Sequence, residues 1–577
     1  MRLIVVWFVM LAAACGPSRD RPHGGGGDGS GTDSCGGGMC SSDLHNVLDC
    51  AGNVVTTCPA DQGCSAGACV PVCQSVADNK SSIGCDYYSV DPDMIDEVAG
   101  ACFAAYIANT WGAPVSITVE RGGQSLPVDQ FARVPQGQGQ ALTYAPLTNG
   151  MLQPGQVAIL FLAQSANTPC PSGITPAVTG TAAYVRGTAT GTAFHIQTSA
   201  PTVAYDIFPY GGGASAATSA TLLLPTSAWD VNYVGVDAYR QSQLAMSVGA
   251  QPFIDLVGME DGTNVTVRPT VAIQGGTGVA AGAQGQNSTY TLSKGEVLQF
   301  EQPTELVGSP ITSDKPIGVW GGASCLNIPV DVTACDSAHQ EIPPVKAMGY
   351  RYAAVRYRNR FTGQEESVPW RLVGGVDGTQ LTYSPSTPPG APTTLALGQL
   401  AEFNAPGPFV VQSQGADHPF YMSAHMTGCQ QVNPTEDDCR GDPEFVNIVP
   451  PEQFLASYTF FTDPTYPETN LVFVREKKNG AFADVSLDCG GTVTNWQAID
   501  QSDTLEYARM DLVTGNFMSV NNCNNGLHVA TSALPFGLVV WGWGSAATDA
   551  TGFISQAVSY AYPAGASVKA INTVVIQ

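Results

Sequence analysis

The 577 residues carry 48 Asp and Glu against 23 Lys and Arg, a formal net charge of −25, with only 12% of residues charged. Polyanions and anionic bilayers recruit clustered Lys and Arg. The short basic runs at 351–360 and 475–478 do not supply that, so nucleic acid and anionic membrane surfaces are excluded as partners. Abundant Gly, Thr, Ser and Val with few helix formers points to an all-β exported chain, long enough for a large core or several domains.

Residues 1–14 read as a lipoprotein signal peptide. Arg2 is followed by an apolar run over 3–14, too short for a bilayer, which needs roughly 20 residues. Leu11-Ala12-Ala13-Ala14-Cys15 resembles a bacterial lipobox. Small residues enter a narrow peptidase cleft, and Cys15 supplies the thiol that takes a diacylglycerol. A membrane partner through this lipid anchor is therefore expected. Gly16 rather than Asp after the lipid cysteine favours, by resemblance to Gram-negative sorting, the outer membrane or cell surface. Residues 15–34 are a flexible Gly-rich tether.

Removing Cys15 from the seventeen cysteines leaves sixteen, an even number that reads as a disulfide set in an oxidising compartment. No CxxC occurs, which argues against zinc. Residues 35–80 form a Cys-rich module, with Cys35, Cys40, Cys50, Cys58, Cys64, Cys69 and Cys73 followed by Cys85 just beyond it. So small a piece needs bridges as staples; the pairing stays open, and both a binding module and a stiffening stalk fit.

From residue 81 to 577 the pattern is β, with short runs of β-branched and aromatic residues between turns. Four segments share one hairpin-like signature: TSAPTVAYDI, TSDKPIGVWGG, GADHPFYMSAH and TSALPFGLVVWG. Their prolines, Pro201, Pro316, Pro419 and Pro535, lie 115, 103 and 116 residues apart. Asp261-Gly262 and Asp377-Gly378 repeat as tight turns, since Asp-Gly accepts positive φ. Pro225, Pro344 and Pro451 mark unit starts. Cys325 and Cys335 follow the second signature as Cys429 and Cys439 follow the third, each pair ten apart, so two local disulfides are predicted. Cys489 and Cys523 are further disulfide candidates.

The expectation is four β repeats of about 110 residues. Closure as a β-propeller-like ring is preferred, and tandem β-sandwich domains are the alternative. The joins lack Gly/Ser linkers, and the tail from Ser559 looks like the start of a fifth unit, a strand able to pair with the first unit and seal a circle.

The stretch GSPITSDKPIGVWGGASCLNIPVDVTACDSAHQEIPPVKAMGYRYAAV over 308–355, and SSIGCDYYSV over 81–90 followed by CFAAYIANTW, resemble the IgGFc-binding protein N-terminal domain family. The resemblance extends over most of 81–577. It implies an extracellular binding or adhesive scaffold, and it does not imply that a bacterial copy meets immunoglobulin. Cys335 and Asp336 match the family pattern, but Ser337-Ala338-His339-Gln340-Glu341 departs from it, so no role is carried over to His339.

No GxSxG, HExxH or P-loop pattern occurs. His418 and His425, seven apart on one strand, fall on opposite faces, unlike a metal pair. The densest acidic clusters are Asp91, Asp93, Asp96 and Glu97, then Glu436-Asp437-Asp438. No cofactor and no metal site is implied; the first cluster leaves room for a structural calcium, with a solvated acidic loop as the default. Trp320, Tyr421, Trp541 and Trp543 fall in or beside equivalent strands. A ring of them would stack on sugars, against the simpler reading of core packing. The function expected is a non-enzymatic, surface-tethered scaffold for extracellular protein or glycan ligands. The alternative is a glycan hydrolase or lyase on a propeller, with carboxylates converging at its channel.

Overall fold

The computed structural model describes residues 38–212, 215–331, 335–433, 439–545 and 556–577. The signal peptide, Cys15, the tether and Glu436-Asp437-Asp438 lie outside the described residues. What is described is all-β. No helix among the described residues is long and apolar enough to cross a membrane.

Eight strands organise the rest. Four carry the proline signatures: β1 (Phe194–Phe208), β3 (Pro310–Leu326), β5 (Phe420–Met426) and β7 (Gly526–Trp543). Each is followed in sequence by a short strand: β2 (Ser219–Leu223), β4 (Asp336–Glu341), β6 (Glu444–Asn447) and β8 (Ser559–Pro563). Each short strand pairs antiparallel with the long strand before it.

The signature proline was expected in a turn between two strands. In β1, β3 and β7 it instead lies inside one long strand. A proline has no N–H for the ladder, so pairing shifts register across it, with Ile83–Ser89, Asp230–Val234 and Leu455–Thr462 respectively. The third signature resolves the same conflict by division, into Phe409–Gln412 and β5, with Pro419 just before the latter.

A tyrosine closes each gap. Tyr87, Tyr233, Tyr352 and Tyr458 donate their hydroxyls to the carbonyls of Thr202, Ile317, Phe420 and Phe536, in each case the residue after the signature proline. The hydroxyls of Tyr233, Tyr352 and Tyr458 also accept the backbone N–H three residues earlier, from Asp230, Gly349 and Leu455. Backbone groups that the proline leaves without a ladder partner are thereby satisfied.

The unit starts need one correction. Short 3-10 turns follow Pro225, Pro344 and Pro450, so Pro450, not Pro451, is the equivalent of the first two. Pro225 packs on Gly84 and Pro450 on Gly349, with no room for a Cβ at either glycine. Gly84 and Gly349 each stand three residues before the bridging tyrosine.

The strands β2, β4, β6 and β8 touch in a cycle: β2 with β4, β4 with β6, β6 with β8, and β8 with β2. Outside this centre the sheets are unequal. The first and last are large, the third is divided, and Ala189–Thr192 crosses to pair with Glu296–Glu301 of the second.

The tail from Ser559 was expected to pair with the start of the β region. Its strand β8 instead pairs with β7, and residues 564–576 continue as a strap without ladder pairing beyond one bridge, Ser81 to Ser567. The strap bonds to Ser82 and Lys80, then Gln453, then Lys346, and finally Asn232. It therefore crosses, in turn, the segments just before the strands Ile83–Ser89, Leu455–Thr462 and Arg351–Ala354, and ends on Asp230–Val234.

The Cys-rich module is held by Cys40–Cys64 and Cys58–Cys69, while Cys73–Cys85 ties it to the strand Ile83–Ser89. Cys50 is also bridged. His45 stacks on Trp111 at 3.9 Å, and Trp111 Nε1 donates to the Ala60 carbonyl. The module is thus fastened against the first unit at three points.

Candidate functional site

The cysteine pairs are found locally bridged, as Cys325–Cys335, Cys429–Cys439 and Cys489–Cys523, with Cys102–Cys170 in addition. The first joins the end of β3 to the residue before β4, and the second lies in the connection from β5 to β6. They brace the entrance of each short strand to the centre.

Trp320, Tyr421, Trp541 and Trp543 are 1%, 2%, 1% and 0% exposed. The idea of an aromatic ring that stacks on sugars is therefore corrected: the second half of each long strand is buried on both faces, and these rings are core. Trp320 packs edge-on against Trp229, and Tyr357 packs on both Trp541 and Trp543.

The centre formed by β2, β4, β6 and β8 is polar, which periodicity did not foretell. Its strands are linked by side chains reaching backbone. Gln340 donates to the carbonyls of Ala220 and Ala561. Asn447 donates to the Glu341 carbonyl, Ser559 to that of Asp442, and Thr218 to that of Ser559. His339 does have a place: its Nε2 lies 2.6 Å from Asp206 Oδ1, and Asp206 Oδ2 accepts from Ser89. Glu341 accepts from the Leu224 N–H and from Trp229 Nε1. Burial, reinforced by neighbouring Asp442, pushes the Asp336 carboxyl well above the usual carboxylate range. Carboxylates from three units do converge, therefore. Asp206, Asp336, Glu341, Asp442 and Glu444 are all buried, and each is closed off by the strands that carry it.

The other titratable candidates are structural too. His425 is fully buried, and burial together with Arg371 lowers its pKa to about 4. His418 faces Asp417 at 3.1 Å. Asp91 and Asp93 are buried rather than solvated, because their loop packs against the second unit and Arg186 spans Asp93 and Asp96. Burial and the adjacent Glu301 push Asp93 up to about 8. Asp488, Cys489 and His528 come together, but the Cys489 sulfur is in a disulfide and both His528 nitrogens are engaged, by Asp488 and the Asn524 carbonyl.

Open recognition surface lies elsewhere. Between the strap and the second unit is a cleft of about 610 Å³, lined by Val231, Thr266, Arg268, Asn287, Thr312 and Val575 among others. Strand alternation puts Val265 and Val267 inside and turns Thr266 and Arg268 outward. The strap supplies the opposite wall. A second groove of about 550 Å³ runs along the Cys-rich module beside Val55.

Comparison with known proteins adds two findings. A family described as IgGFc binding protein matches residues 219–542, from the first residue of β2 to within one residue of the end of β7. A human protein described as IgGFc-binding protein is 23% identical over 342 residues, which are 57% of this chain and 6% of that protein. The chain thus spans a small fraction of that relative's length.

Proposed function

Because the chain belongs to the IgGFc-binding protein family, we propose that it is a non-enzymatic extracellular binding or adhesion scaffold for protein or glycan ligands. One observation carries this reading: the acidic groups that converge at the centre are buried, with Asp206, Glu341 and Glu444 held in hydrogen bonds that reach other strands or their flanks, while the roomy cleft is walled mainly by hydroxyls, amides and aliphatic side chains. Among the described residues its single carboxylate side chain, Asp230, is paired with Lys346. Paired-carboxylate hydrolysis needs two acids flanking a substrate in an open site, so burial weighs against the glycan-degrading alternative. The cyclic contacts of β2, β4, β6 and β8 and the four equivalent tyrosine bonds support a ring of four units closed as a propeller. In this reading Cys15 carries lipid and the tether displays the ring at the outer membrane or cell surface.

The test is an array of extracellular proteins and glycans probed with the purified chain. Retention without turnover is expected, and cleavage of any polysaccharide would replace this reading with the enzymatic one. Cys15→Ser should release the chain from the membrane or leave its signal uncut; a variant still lipid-linked would remove the anchor.

A further inference from the structure

We propose that the cleft between the strap and the second unit is a recognition site for an extended acidic segment of a protein partner. This rests on the scaffold reading above and assigns that scaffold a place and a ligand chemistry.

The charge on Arg268 is the first argument. Arg240, Arg351, Arg358, Arg360, Arg371 and Arg475 are all ion-paired, as a chain with a surplus of 25 negative charges readily arranges. Arg268 is exposed in the cleft, and its guanidinium has no ion pair or hydrogen bond with any described residue. The other cation there, Lys346, is answered by Asp230 at 2.8 Å. The cleft therefore keeps one guanidinium without a directly bonded partner among the described residues, and its planar fork matches a carboxylate in two parallel hydrogen bonds.

The walls argue for a peptide rather than a sugar. Among the described residues no aromatic ring lines the cleft, so they give it no flat apolar face on which a sugar ring would pack. Val231 and Val575, 37% and 66% exposed, are instead among the few large apolar side chains left in solvent, and they suit an aliphatic side chain beside the acid. Asn287, also in the lining, immediately precedes Ser288–Leu292, the edge strand of its sheet. An edge strand offers unpaired backbone groups to an extended segment. The volume suits a ligand site, which is typically about 300–1,000 Å³.

The experiment uses the full chain in detergent and fluorescent short peptides with one Glu or Asp between Val, Ile or Leu residues. Their Gln and Asn counterparts, and sulfated and carboxylated oligosaccharides, are run beside them. Acidic peptides should bind about tenfold or more tightly than their amide counterparts, a gap of about 1.4 kcal/mol. Arg268→Gln should erase that gap with the thermal midpoint unchanged, and Val575→Asp should weaken every peptide. Equal binding of acid and amide peptides, no binding by any peptide, unaltered binding by R268Q, or an R268Q defect confined to oligosaccharides would each overturn the proposal. Array ligands retained undiminished by R268Q would remove this site and leave the scaffold standing; an array silent for the unaltered chain would remove both.

Discussion

Asn232 and Ile576, 344 residues apart, hold each other by two hydrogen bonds: Asn232 Nδ2 donates to the Ile576 carbonyl at 2.8 Å, and the Ile576 N–H donates to Asn232 Oδ1 at 3.0 Å. A side-chain amide here does the work of a neighbouring strand, presenting one donor and one acceptor to a backbone that has no ladder. Asn572 and Gln453 fasten the strap by the same chemistry, to the carbonyls of Val345 and Met348 and to that of Lys569. The strap is thus fixed at separate points along its length, near Ser82, Gln453, Lys346 and Asn232.

Asn232→Ala should therefore loosen the end of the strap. Two buried backbone groups lose their partner, at a cost of about 1–3 kcal/mol. Denaturant unfolding measures that loss, and limited proteolysis should cut near residue 574 sooner than in the unaltered chain. Unchanged stability and an unchanged cleavage pattern would show that the clasp is incidental.

The four tyrosine bridges should be energetically alike. Tyr233→Phe or Tyr352→Phe leaves a buried carbonyl unpaired, together with a part-buried N–H at Asp230 or a buried one at Gly349, which costs about 1–3 kcal/mol, whereas Tyr184→Phe at a half-exposed site should change stability by under about 0.5 kcal/mol. Comparable losses at Tyr233 and Tyr352 in denaturant unfolding are the expected result. A large loss at one and none at the other would contradict their equivalence.

Much of this frame was legible because some residues are local in their effect. Asp-Gly steps need a left-handed glycine, and Gly262 and Gly378 have φ of +66° and +74°. Cysteines ten apart bridge within their own connection. The signature prolines were visible, but not their consequence, since the hydroxyl that repairs each broken ladder comes from 68 to 115 residues earlier. A cue was present: Tyr233, Tyr352 and Tyr458 each stand eight residues after Pro225, Pro344 and Pro450. The polar centre was illegible for a different reason. SATLL, DSAHQE, EFVN and SYAYP share no period, because each strand satisfies its neighbours by side chain-to-backbone bonds rather than by an apolar face. The aromatic rings misled because an apolar run buried on both faces looks the same as one that opens on a ligand.

Arg371 should be among the costliest single residues to lose. It is nearly buried, pairs with both oxygens of Glu305 at 2.7 and 2.9 Å, reaches Glu402 at 3.4 Å, and donates to the carbonyls of Asp237 and Ala238. It therefore joins the second and third units. Arg371→Met leaves the Glu305 carboxylate without its cation, while Glu402 keeps Arg240; breaking a buried pair in this way costs about 3–5 kcal/mol. Adding Glu305→Gln should recover part of that loss, as a double-mutant cycle in urea would register. Additive losses would mean that the two groups are not coupled.

His195 should make the first sheet sensitive to pH. It lies in β1 between two strands, with Nδ1 2.8 Å from Glu120 Oε1 and Nε2 2.7 Å from Asp86 Oδ1, its ring stacked on Tyr88. A neutral imidazole has one N–H and cannot donate to both carboxylates; the imidazolium can. Burial opposes that charge, but the hydrogen bonds to Asp86 and Glu120 outweigh it, against a smaller opposing effect of Lys294, and the pKa is raised above 6.5. A folded pKa above the unfolded one means the stabilisation is fully present below pH 6.5 and is lost as pH rises through the folded value. Denaturant midpoints measured from about pH 5.5 to 8.5 should fall more steeply for the unaltered chain than for His195→Gln, which has no proton to lose in this window. The ring-carbon NMR shift should titrate above 6.5. A midpoint at or below 6.5, or identical pH profiles for the two chains, would show that His195 is not held as a cation between its two carboxylates.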